Sequence, residues 1–192
     1  AAIGELTDLL ARRGPDDAGN WHADRAALGF RRLAVLDLSP AGHQPMASPD
    51  GRHVLVFNGE VYNFREIRKE LEADGVGFGS DTDTEVVLHA LARWGPGALA
   101  RFHGMFALAF YDRVAHSVLL ARDPLGIKPL YWLRHQNGLV FSSQYDAVVR
   151  HPWCERQRLR HPVVVTCGHR RDAGDPAPAC SIVLCLGSAW PG

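Results

Sequence analysis

Cysteine is missing from the first 153 residues of this 192-residue chain; all four cysteines come late, at Cys154, Cys167, Cys180 and Cys185. Their gaps of 13, 13 and 5 residues contain no Cys-x-x-Cys pair. A zinc site is therefore not expected, even with His161 and His169 nearby, and free thiols are expected over a disulfide frame. Lysine is nearly absent too, with Lys69 and Lys128 against 19 arginines, a skew that reads as GC-rich codon use. Neither sign of charge is in excess, 21 basic side chains facing 21 acidic ones, so there is no electrostatic footprint for nucleic acid. No apolar run approaches the ~20 residues that cross a bilayer. The chain opens Ala-Ala-Ile-Gly-Glu, without an initiator Met, a basic n-region or an apolar h-region. No secretory signal is visible, so the cytoplasm is the expected compartment and the start reads as a truncation. What is present, 46% apolar residues in a chain of this length, suits one soluble globular domain.

From Gly4 to about Arg150, short apolar runs alternate with helical patterns. Leu6, Leu9 and Leu10 mark a helix stopped at Arg13-Gly14-Pro15. Runs at Leu33–Leu38, His53–Phe57, Met105–Tyr111, Val118–Ala121, Leu130–Leu133 and Leu139–Ser142 have strand length. Phe64, Ile67 and Leu71, and then Val87, Ala90, Leu91 and Trp94, repeat as amphipathic helices closed by Asp74-Gly75 and Gly95-Pro96. Short turns between the later strands, such as Arg134–Gly138, point to antiparallel hairpins and an α+β layered domain. After His151-Pro152-Trp153 the proline and glycine density predicts an irregular or disordered tail, with no structure assigned to Val163–Val165 or Ile182–Leu186. The expected division is a domain over 1–153 and a tail over 154–192.

Five polar clusters sit at the ends of apolar runs: Arg13–Asp17, Arg31–Asp37, Phe57–Asn63, Ser80–Val86 and Ala121–Tyr131. Asn58-Gly59 is a common hairpin-turn signal, but here it leads into the Phe64 helix, so the turn is expected to join strand to helix. Such a turn can set a side-chain amide beside a backbone N–H, two neutral donors of the kind an oxyanion hole uses. Thr82 and Glu85 fit a capping box, which leaves Asp83 at the first turn of a helix, able to receive an ammonium group. Arg32 by itself reads more readily as a solvated flank than as a ligand. Asp123–Lys128 reads as a turn between strands.

In this order and spacing, Arg13-Gly-Pro-Asp, Arg32-Leu-Ala-Val-Leu-Asp, Phe57-Asn-Gly-Glu-Val-Tyr-Asn, Ser80-Asp-Thr-Asp-Thr-Glu, Gly104-Met-Phe-Ala and Arg122-Asp-Pro-Leu-Gly-Ile-Lys-Pro-Leu-Tyr resemble the class II glutamine amidotransferase (glutaminase) domain. The resemblance runs from about Leu6 to His151 and is strongest to glutamine-dependent asparagine synthetases. It implies the four-layer αββα sandwich of the N-terminal-nucleophile hydrolases, here with the first strand missing. It also implies hydrolysis of glutamine through a thioester on a leading Cys whose own α-amine is the base. The Asn58 amide and the Gly59 N–H would stabilise the oxyanion, Arg32 would hold the α-carboxylate, and Asp83 and Glu60 would receive the α-ammonium. Backbone groups at Val35 and Leu36 would complete the pocket. Asp81 is a rival to Asp83, which is preferred because Thr-Glu follows it directly.

The chain departs from that pattern at both ends. The leading Cys is not among these residues, and none of the four late cysteines can combine thiol and free α-amine, so the fragment is expected to bind glutamine without hydrolysing it. No Ser-Gly-Gly-type phosphate loop occurs, so ATP and magnesium are expected only in a missing synthetase domain and no cofactor or metal in this one. The expected partners are glutamine and that synthetase domain, with a homodimer one assembly open to the full-length protein. Loss of resemblance after about Leu159, with sudden Cys, His and Pro usage, suggests an out-of-frame reading of the gene. Alternatives are another class II amidotransferase, feeding glucosamine phosphate or phosphoribosylamine synthesis, or a dead glutamine-binding module or pseudogene product. The lack of long insertions between Arg32 and Asp83 favours the asparagine synthetase branch.

Overall fold

The computed structural model describes residues 3–23, 25–33, 42–136, 138–154, 164–167 and 185–187. Its centre is β4 (His53–Val61), a nine-residue strand paired antiparallel with β5 (Gly104–Asp112), which pairs in turn with β6 (Ser117–Arg122). The short β3 (Met46–Ala47) borders β4 on its other side. A second layer holds the hairpin of β1 (Asp17–Ala23) and β2 (Ala26–Arg32) and the hairpin of β7 (Tyr131–His135) and β8 (Gly138–Ser142).

Period-two alternation divides the apolar side chains between two cores. Val54 and Val56 of β4, Ala107 and Ala109 of β5, and Leu120 of β6 face Ala26, Leu28 and Phe30 of β2 and Leu139 and Phe141 of β8, filling the space between the sheets. Leu55 and Phe57, with Leu108 and Phe110, face the other way onto two helices. These are α2 (Phe64–Ala73), which buries Ile67 and Leu71, and α3 (Asp83–Trp94), which buries Val86, Val87, Ala90 and Leu91. On the far side, α1 (Ile3–Asp8) and α4 (Tyr145–Val149) close a third cluster of Ile3, Leu6, Leu10, Leu133, Val140 and Val148. Full burial of each such side chain contributes roughly 1.5–3 kcal/mol. The layer order is the expected αββα sandwich. No helix among the described residues is long and apolar enough to cross a membrane.

Three expectations need correction. Asn58-Gly59 is no turn: β4 runs through both residues to Val61. Gly59, at φ +156°, is where the strands close in, since a Cβ there would lie 2.6 Å from the Phe106 Cα. Glycine fits the pairing, and the turn comes only after Val61. The strands β1 and β2 carry little sequence signal, because Asp17–Ala23 is polar and largely solvent-facing and Ala26–Arg32 has few large apolar residues. Of the strand expected over 33–38, Leu33 lies outside any strand and the others fall outside the described residues. Finally, the tail is not wholly irregular. β9 (Val164–Cys167) pairs antiparallel with β6, and β10 (Cys185–Gly187) pairs parallel with β2. Both add to strand edges through backbone hydrogen bonding, which asks little of sequence pattern.

Candidate active site

Strand parity sends Asn58 and Glu60 to the same face of β4 as Val54 and Val56, into the space between the sheets. Across that space Arg32 ends β2, continuing the inward series Ala26, Leu28, Phe30. Arg32 is half-buried, and its guanidinium lies against Gly42, where a Cβ would come within 2.5 Å of it. Two residues on, the Gln44 carboxamide bonds both backbone groups of Phe57, at 2.6 Å and 3.0 Å. Two residues span at most about 7 Å. The segment over 42–44 thus ties the end of β2 to β4 beside Asn58.

Asn58 is buried, 3% exposed, and its Oδ1 has no hydrogen-bond partner among the described residues. An unpaired buried amide oxygen costs about 1–3 kcal/mol. Such a cost is commonly met where a ligand supplies the missing donor. Gly59 pairs with Phe106, whose carbonyl accepts from the Asp123 N–H at 2.7 Å and so faces β6. The Gly59 N–H therefore points out of the β4–β5 ladder, toward the opposite edge.

Asp83 reaches that edge from the first turn of α3, its Oδ2 accepting the Val61 N–H at 3.1 Å. Burial pushes its carboxyl up to about 6, with the nearby Glu60 charge adding to the rise and the Val61 and Thr84 N–H groups opposing it. Asp81 stands apart: its carboxylate is fully exposed and pairs with Arg68 at 2.9 Å. Thr82 caps α3 as expected, accepting from the Glu85 N–H at 3.3 Å. The Glu85 carboxylate does not complete the box; it accepts from the Gly79 and Ser80 N–H groups at 2.8 Å and 2.7 Å, fastening the preceding loop.

The expected turn at Asp123–Lys128 is present, and its organiser is the buried Asp123 carboxylate, which accepts from the Ile127 and Lys128 N–H groups at 2.9 Å and 3.0 Å. Burial lowers the pKa of Lys128, while the Asp123 and Glu60 charges oppose that shift. Val35 and Leu36 lie outside the described residues. Sequence reasoning missed Gln44, since a lone glutamine beside a proline carries no pattern of its own. Among the described residues no cluster of three His, Cys, Asp or Glu could hold a metal ion.

The family model for the glutamine amidotransferase domain matches residues 1–169. The chain belongs to this family. Among curated relatives, asparagine synthetase [glutamine-hydrolyzing] 1 of Bacillus subtilis is 39% identical over 147 residues, covering 77% of this chain and 23% of the relative. A putative asparagine synthetase [glutamine-hydrolyzing] of Mycobacterium tuberculosis is 41% identical over 155 residues, 75% of this chain and 24% of its own. Asparagine synthetase B of Escherichia coli is 39% identical over 146 residues, covering 76% and 26%. The chain thus spans about a quarter of the length of these relatives. A solved glutamine phosphoribosylpyrophosphate amidotransferase from B. subtilis aligns with a TM-score of 0.47 and 24% identity, over 56% of this chain and 25% of that one. In this glutamine amidotransferase domain the described candidates lie at element ends: Arg32 closes β2, Asn58, Gly59 and Glu60 fall in the last four residues of β4, and Asp83 meets β4 at Val61.

Proposed function

We propose that this chain is the glutamine-handling part of a glutamine-hydrolysing asparagine synthetase, releasing ammonia for ATP-dependent amidation of aspartate by a synthetase domain outside these residues. The observation that carries the site assignment is the end of β4, where a buried, unpaired Asn58 amide oxygen sits beside a Gly59 N–H directed out of the ladder. Glutamine enters with its γ-carbonyl over these two groups. As sulfur adds to the carbonyl carbon, the C=O π electrons move to oxygen, and the Asn58 Nδ2 and Gly59 N–H donate to that oxyanion. Each such donor is worth about 3 kcal/mol in the transition state. The Asn58 Oδ1 remains available to an N–H of the attacking residue's α-amine.

At the other end of glutamine, Arg32 pairs with the α-carboxylate in the two-point geometry a guanidinium allows. Asp83 and Glu60 take the α-ammonium. Backbone groups at Val35 and Leu36 are the proposed remainder of the pocket. Hydrolysis needs thiol and α-amine on one residue, and no residue before Cys154 is a cysteine, so the nucleophile must come from outside these residues. ATP and magnesium belong to the synthetase reaction.

Two measurements test the proposal. Glutamine should raise the melting temperature of the 192-residue chain, and Arg32→Ala should remove that shift. Ammonia release should be undetectable from these residues alone and should appear when an upstream segment beginning with Cys is joined to them. An unchanged shift in Arg32→Ala relocates the carboxylate site. Turnover without the added segment removes the assignment of the nucleophile.

A further inference from the structure

Alternate residues of a strand present their N–H and C=O to the same side, so one edge of β4 carries those of His53, Leu55, Phe57, Gly59 and Val61. The side is fixed by the His53 carbonyl, which accepts from the Ser48 N–H at 2.9 Å next to β3. A neighbouring strand would ordinarily use all five positions, but β3 pairs only with Val54 and Leu55. Beyond it, side chains replace the strand. The Gln44 Oε1 accepts the Phe57 N–H at 2.6 Å and its Nε2 donates to the Phe57 carbonyl at 3.0 Å. At Val61 the Asp83 carboxylate takes the N–H at 3.1 Å. Gly59 lies between these two side-chain caps.

We propose that Gln44 is a positioning residue of the glutamine site: its carboxamide stands in for one peptide unit of an absent strand at Phe57, ending the ladder one step short of Gly59. Resting on the oxyanion reading of Asn58 and Gly59, the inference explains how a backbone N–H at a sheet edge is held rigidly and still left open to substrate. Continued pairing would consume the Gly59 N–H, whereas no pairing at all would leave the edge to fray. A carboxamide suits the task because it offers one acceptor and a donor in the plane of a peptide group. Gln44 is 4% exposed, so loss of either bond strands a buried peptide group. Its own backbone carbonyl sits against β1 at Gly19, where no Cβ would fit, so the side chain is delivered from a fixed point between the sheets.

The test uses backbone amide spectroscopy on the 192-residue chain with glutamine as the probe. In the unsubstituted protein the Phe57 N–H should exchange slowly and the Gly59 amide should shift on adding glutamine. Gln44→Met keeps the volume and removes both bonds. It should speed Phe57 exchange at least tenfold and abolish the Gly59 response, while glutamine affinity by calorimetry, held by Arg32 and Asp83, stays within about threefold. Gln44→Glu, kept neutral by burial against the Phe57 carbonyl, offers that carbonyl an O–H donor and the Phe57 N–H an acceptor, and should restore Phe57 protection and most of the Gly59 response. The restoration is a readout that a packing role would not move. Unchanged Phe57 exchange and Gly59 response in Gln44→Met overturn the role of Gln44 alone. If Gln44→Met does not fold, Gln44→Glu decides: a Gly59 amide deaf to glutamine in that folded variant overturns it equally. A Gly59 amide unmoved by glutamine in the unsubstituted protein removes the oxyanion reading itself.

Discussion

The two ends of β4 carry carboxylates treated in opposite ways. At the His53 end, burial alone would raise Asp112, but the Arg52 guanidinium and the Ala115 and Val114 N–H groups outweigh it and hold the carboxyl down to about 2. Arg52 grips it with Nε at 3.1 Å and Nη2 at 2.7 Å. At the Val61 end, about 26 Å away at 3.3 Å per residue, Asp83 is pushed up to about 6 by burial, with one backbone N–H from β4 and no guanidinium partner among the described residues. One end spends its charges on itself and stabilises the fold. The other buries an acid held only by backbone N–H groups, beside an amide oxygen with no partner among the described residues, at a cost in stability.

The largest expected effect comes from closing the gap at the Val61 end. Gly59→Ala would drive a Cβ into the β5 backbone at Met105 and Phe106, and should lower stability by about 3 kcal/mol or more, measured by calorimetric melting. A melting temperature close to the original would mean that the β4–β5 contact yields easily.

Next in size is the acid pair itself, where the signs oppose. Asp83 has a folded pKa raised from 3.8 to about 6, so the folded state binds more protons between these values and stability falls as pH rises through them. Asp83→Asn should therefore stabilise the protein above pH 6 by about 1–3 kcal/mol and flatten that part of the melting profile, while weakening glutamine binding. In the unsubstituted chain glutamine affinity should rise with pH through about 6, as the carboxylate forms. Asp112 has a lowered pKa, so its contribution is present above 3.8 and lost as pH falls toward 2. Asp112→Asn should cost about 1 kcal/mol at neutral pH, given partial solvent screening, and leave glutamine binding alone. Asp83→Asn and Asp112→Asn shifting stability in the same direction at pH 7.5 would contradict the opposite treatment of the two carboxylates.

The smallest effect sharpens the choice between neighbouring acids. Asp81 and Arg68 form a surface pair, so Asp81→Ala should change stability by less than about 0.5 kcal/mol and glutamine affinity not at all. A loss of affinity there equal to that of Asp83→Asn would move the ammonium site to Asp81.

Much of this fold is written in local sequence. The amphipathic periods of α2 and α3 and the apolar runs of β5, β6 and β8 are local signals, and the structure has all of them. The Asn-Gly pair misled because its local preference for a turn is strong, while the packing of Gly59 on Phe106 is a cross-strand fact that no window of sequence contains. The polar strand β1 was invisible for a related reason: its pairing with β2 supplies backbone bonds that its side chains do not announce. The candidates Arg32, Asn58, Glu60 and Asp83 follow from motif order, but the direction of the first three is set by strand parity across two sheets, and Asp83 reaches the β4 edge from the first turn of α3. Gln44 could be found only through its contacts.

The most direct test of the central claim is a glutamine titration of the 192-residue chain followed at individual nitrogen-bound protons. Saturable shifts are expected at the Gly59 amide and the Asn58 side-chain amide, with the amides of His53, Asp112 and Arg113 at the other end of the strand unmoved. Shifts confined to the His53 end, or none at Gly59 and Asn58 at glutamine concentrations that saturate binding by calorimetry, would contradict it.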